Sequence, residues 1–109
     1  MAERLVLKPR ASLTDYQAYV EVAMEKNGRP LTVTETQLLV AENLGLISKA
    51  IRVDIGLAAD PKSKIPQKEE ALAGLFFFTI LLANQMGIDL EPAFLKREQK
   101  YKRRNSRTG

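Results

Sequence analysis

The side chains that could do chemistry in this chain are oxygen donors and cations. Its 109 residues contain no cysteine and no histidine. Disulfides, thiolate zinc sites and imidazole general bases are therefore excluded, and metal chemistry would need carboxylates and a hard cation such as Mg²⁺ or Mn²⁺. Two segments matter most, Glu42-Asn-Leu-Gly-Leu-Ile-Ser-Lys-Ala-Ile51 and Glu70-Ala-Leu-Ala-Gly74. Residues three apart on a helix share a face, so acids at that spacing would converge on a dication. Here the positions around the two glutamates read Asn43, Leu46, Ala71 and Gly74. Glu42 and Glu70 are the residual acids, weak candidates for a cation on their own.

The second group is basic. Residues 96–109 hold seven Lys/Arg against one acid, Glu98, a local charge of +6 that leaves −2 on the rest of a chain whose total is +4. Within it, Arg97, Lys100, Arg103 and Arg104 could meet phosphate. Lys100-Tyr-Lys-Arg-Arg104 is compact and basic with one interleaved aromatic, which also fits nucleic acid or an acidic protein partner. The bland alternative is a solvated helix end, where cations sit favourably against the dipole.

The elements that must position these groups read as helices throughout, giving an all-α fold. Residues 1–12 read as an irregular N-terminal arm, 13–104 as a single helical domain and 105–109 as a basic, frayed tail. Thr14-Asp-Tyr-Gln17 fits a capping box for a first helix over 15–26, stopped by Asn27-Gly28 and Pro30. Thr32-Val-Thr-Glu35 is a second box, with Thr34 to Gln37 competing. The helix behind it has an apolar stripe wide enough for two packing partners and ends near Val53. Residues 54–66 form a loop with two prolines. A third helix starts around Pro66 with Glu69 and Glu70 in its first turn, is apolar on every face to Met86 as if surrounded by protein, and stops at Gly87. Asp89 then caps a fourth helix from Leu90 to about Arg103. The 45% hydrophobic content supplies a core, though a domain this small commonly completes its burial by self-association. The apolar run from Ala71 to Ala83 is short of the roughly 20 residues of a membrane span, and the N-terminal residues show no signal peptide. The expected setting is cytoplasmic, with no membrane partner.

The stretch Leu72-Ala…Leu82-Ala-Asn84-Gln-Met-Gly87-Ile-Asp-Leu90-Glu-Pro-Ala93 resembles the end of the MazG-like all-α nucleoside triphosphate pyrophosphohydrolases. Leu44-Gly-Leu-Ile-Ser-Lys-Ala-Ile51 is similar to that family's acidic helix, and the match covers roughly residues 32–104. The resemblance implies a four-helix bundle completed by dimerisation or higher homo-oligomerisation. In the family, acids from two helices hold Mg²⁺, which bridges phosphate oxygens and positions water. The first acidic motif falls on Glu42, Asn43 and Leu46, and the second on Ala71 and Gly74, so only Glu42 matches. The family's phosphate-contacting last helix keeps its charge in Arg97, Lys100, Arg103 and Arg104, with Tyr101 where an Asn is usual.

Three functions follow as expectations. The first is a MazG-like pseudoenzyme with no catalytic residues and no cofactor, acting through binding or assembly. The second is a working Mg²⁺-dependent pyrophosphohydrolase on a relocated set, Glu35, Glu42, Asp54, Glu69 and Glu70. The third is a small basic helical protein that binds nucleic acid or an acidic partner; a nucleotide is a further candidate ligand. On the first reading the former site is filled by side chains, with Leu46 lying in it. Gly74 allows a close approach there, at a helix-propensity cost of about 1 kcal/mol relative to Ala.

Overall fold

The computed structural model describes residues 6–57 and 67–108, the last five of these for their backbone. It contains four α-helices, α1 (Leu13–Lys26), α2 (Val33–Asp54), α3 (Lys68–Gln85) and α4 (Leu90–Thr108), and no strand among the described residues. No single helix in them is long and apolar enough to cross a membrane. The contacts divide the chain into two compact units, Leu31–Leu82 and, together, Met1–Pro30 with Ala83–Gly109.

In the Leu31–Leu82 unit, α2 begins at a reciprocal capping box. Thr32 Oγ1 accepts from the Glu35 N–H at 3.1 Å, and the Glu35 carboxylate accepts from the Thr32 N–H at 3.0 Å. Thr32 therefore prevails over Thr34, satisfying two otherwise orphaned donors at once. One turn on, Thr36 is fully buried, and its hydroxyl donates to the Thr32 carbonyl at 3.0 Å, which removes the cost of burying it. At the other end Gly56, at φ 79°, closes a Schellman motif: the Leu57 N–H donates to Arg52 O at 2.8 Å and the Gly56 N–H to Val53 O at 3.1 Å. Lys68 Nζ reaches Asp54 Oδ2 at 2.7 Å, tying the end of α2 to the start of α3 and raising the lysine's pKa.

Burial in α3 is one-sided. Ala71, Ile80 and Leu81 are buried, whereas Leu72 and Phe76, one turn apart, are 56% and 44% exposed. Within this chain the described residues cover α3 along one side, and enclosing the other would fall to a second copy. Likewise the broad stripe of α2 is covered along one side only. Leu38, Leu44, Ile51 and Ile55 are 50–66% exposed, and the last three share one face at helical spacing. The helix opens at Lys68, with the Gln67 carbonyl accepting from the Ala71 N–H at 3.0 Å; Pro66 lies outside the described residues.

In the other unit, α1 starts two residues earlier than Thr14 would dictate. Ser12 is the cap: its Oγ accepts from the Asp15 N–H at 3.1 Å, and the Asp15 carboxylate accepts from the Ser12 N–H at 2.9 Å. Thr14 and Gln17 are drawn away by groups far along the chain. Thr14 Oγ1 donates to Glu91 Oε2 at 3.3 Å. The Gln17 amide donates to Asn84 Oδ1 at 2.9 Å and Ile88 O at 2.8 Å, while its Oε1 accepts from the Leu90 N–H at 2.9 Å. Asn84 Nδ2 returns a bond to the Gln17 carbonyl at 2.9 Å. This double amide latch sits on a second Schellman motif, in which Gly87 at φ 68° donates to Asn84 O and Ile88 to Ala83 O. Asp89 takes the cap position of α4, its carbonyl accepting from the Ala93 N–H at 3.3 Å, and Gln17 supplies the acceptor for the helix's first N–H. The helix packs on α1 and continues to Thr108, past the expected end near Arg103.

Two outcomes follow from these caps. Gln17→Ala leaves Asn84 and the Leu90 N–H short of partners, so chemical denaturation should show a loss of about 2 kcal/mol; a loss below a few tenths would show that the latch is dispensable. The Asp15 carboxyl is held below the usual carboxylate range, first by the Ser12 backbone N–H and then by the Ser12 hydroxyl and Lys8. Its contribution is present above the unfolded-state pKa and disappears as pH falls through the folded one. The stability gap between the parent and Asp15→Asn in thermal melts should therefore be clear at neutral pH and close in strong acid.

Candidate functional site

The residues singled out on α2 and α3 are neighbours in the Leu31–Leu82 unit. Asn43, Leu46, Gln67, Glu70 and Ala71 border one recess of about 250 Å³. Gly74 completes the cluster from one turn further along α3. A Cβ placed on it would overlap Asn43 Oδ1 and lie 3.1 Å from Asn43 Cγ. The asparagine is fixed in that posture because its Nδ2 donates to the Leu39 carbonyl at 2.8 Å. Asn43, rather than Leu46, thus fills the space beside Gly74, and Leu46 instead forms a partly exposed wall of the recess.

This donor set does not suit a Mg²⁺–phosphate centre. Leu46 and buried Ala71 offer only carbon. The Asn43 amide nitrogen is committed to the Leu39 carbonyl, its Oδ1 lies beside Gly74, and Glu70 is the one carboxylate on the rim among the described residues. Glu42 is exposed and is not among the residues bordering the recess. A hard dication beside a polyanion needs several charged oxygens, and no group of three or more acids with that potential exists among the described residues. The relocated set is spent elsewhere: Glu35 caps α2, and Asp54 pairs with Lys68. Glu69 and Glu70 occupy the first turn of α3, where the helix dipole favours negative charge.

The basic group gathers on α4. Arg97, Lys100 and Arg103 border a single groove, joined by Lys96 and Tyr101. The Arg97 guanidinium carbon stands 4.4 Å from the centroid of the Tyr101 ring, and its Nη1 is 3.1 Å from Glu98 Oε1. Arg104 lies in the helical stretch, with its side chain outside the described residues. Sequence reasoning missed Gln67 in the recess and Lys96 in the groove. Lys96 could have been found from its spacing to Lys100 and Arg103. Gln67 offered no signal, since a loop-edge amide acquires its role from where the helix starts.

Compared with protein-family models, curated proteins and solved structures, the chain matches none.

The contact between Asn43 and Gly74 makes a checkable pair. Gly74→Ala gains about 1 kcal/mol of helix propensity but must displace Asn43 and its bond to Leu39, worth about 1 kcal/mol, besides overpacking the contact. The single variant should be neutral to mildly destabilising. In an Asn43→Ala background the same change should stabilise, and additive effects in the denaturation cycle would contradict the contact.

Proposed function

We propose that the chain is a MazG-like helical protein whose nucleotide-hydrolase site has lost its acids and which acts through binding and assembly as a homo-oligomer. One observation carries the reading. Asn43 stands over Gly74 and shares a recess with Leu46, Ala71 and Glu70, so the positions that the resemblance assigns to carboxylates are neighbours in space. Neighbouring replacements by an amide, two apolar side chains and a glycine support loss of a common cation site. Scattered replacements would have suited unrelated surface drift.

Self-association is supported by α2. Leu44, Ile51 and the capping Ile55, all at least half exposed, share one face over about 16 Å of helical rise. Apolar surface of that extent favours a protein partner over water, and a second copy presents the same stripe for an isologous contact.

Purified protein supplied with Mg²⁺ or Mn²⁺ should release no pyrophosphate from a panel of nucleoside triphosphates. Robust release abolished by Glu42→Ala would overturn the reading. A gain of function tests the location: Asn43→Glu, Leu46→Glu, Ala71→Glu and Gly74→Asp together should create Mn²⁺ binding in calorimetry that the parent lacks, and a folded quadruple variant that binds no cation would sink the proposed site. Sedimentation should find an oligomer for the parent, shifted to monomer by Leu44→Glu with Ile51→Glu.

A further inference from the structure

We infer that the basic face of α4 is a binding surface for single-stranded nucleic acid, with Tyr101 as a base-stacking platform and Lys96, Lys100 and Arg103 as phosphate contacts. The groove these residues border has a volume of about 910 Å³, and its remaining lining residues are Ala93, Arg97 and Gln99. No acid faces it among the described residues. Glu98, the one acid of residues 96–109, is paired with Arg97 and does not border the groove. Lys96 and Arg103 stand two turns apart, about 10 Å along the axis, so successive phosphates of an extended strand can be met in line.

Charge alone would suit any polyanion; the aromatic pair selects among them. Arg97 is stacked over Tyr101 at 4.4 Å, making a planar, cationic surface within a positively charged groove. Single-strand binding combines these features, a basic track for the backbone and an aromatic face for a base. Carboxylates pair with the N–H edge of a guanidinium rather than with a ring face, so an acidic peptide without aromatic residues leaves the stack unused. This inference does not rest on the loss of acids beside Gly74, so either reading can fail without the other.

The test is fluorescence anisotropy with labelled oligo-dT and oligo-U of about 20 nucleotides, longer than the roughly 4–16 that single-strand folds cover. The parent should bind at low salt, with affinity falling about 20-fold between roughly 50 and 200 mM as three phosphate contacts release their counterions. Tyr101→Leu should weaken binding about tenfold while leaving the salt slope unchanged, and Tyr101→Phe should retain it. Lys96→Gln with Lys100→Gln should flatten the slope by about 1.4. Circular dichroism confirms that each variant remains helical. Four results would overturn the inference: no oligonucleotide binding at low salt, indifference to Tyr101→Leu, polyglutamate bound as tightly as oligo-U, or capture by phosphatidylserine vesicles without oligonucleotide binding.

Discussion

The close approach of Asn43 to Gly74 is the constraint around which the Leu31–Leu82 unit is arranged. A helix pays for a central glycine in conformational entropy, and here the missing Cβ is what admits the asparagine side chain. The asparagine can lie there because its amide hydrogen bonds one turn back to the Leu39 carbonyl, so its polar atoms are not stranded. Once that contact exists, Leu46 and Ala71 fall on the same recess. A Cβ at position 74 would overlap Asn43 as it stands, so an acid there requires the asparagine to move or be replaced.

Four of the thirteen acids hold the scaffold together. Asp15 and Glu35 close capping boxes, Asp54 joins α2 to α3 through Lys68, and Glu91 accepts from Thr14. Cations, by contrast, concentrate on α4 after its first turn, where residues 96–109 hold seven Lys/Arg and only Glu98 to offset them. This separation of roles explains why the chain has little to offer a dication and much to offer an anion. It also leaves the apolar surface unevenly used, with α2 carrying more of it than one chain covers.

Much of the fold was legible because its signals are local. The Thr32–Glu35 box, the glycine stop at Gly87 and the helical spacing of α2 depend on residues within a turn or two of one another, and those elements formed as read. Where the reading failed, a distant group had intervened. Thr14 and Gln17 look like a cap, but Glu91 and Asn84 claim them from 77 and 67 residues away, leaving Ser12 to start α1. For α3, uniform apolarity states what a helix can bury, and the neighbours within one chain decide how much of that is buried there.

For the site, sequence alone determined the chemistry that is absent. No histidine, no cysteine and too few acids at the spacing of one helix face are properties of composition and periodicity, and no folding can restore them. Tertiary structure decided what stands in their place. Only packing could bring α2 and α3 close enough for Asn43 to cover Gly74, or let Gln17 serve as acceptor for the first N–H of α4. The physical reason is range. Side-chain identity and helical period act within a few residues, whereas close contacts and shared hydrogen bonds depend on which distant backbone arrives alongside.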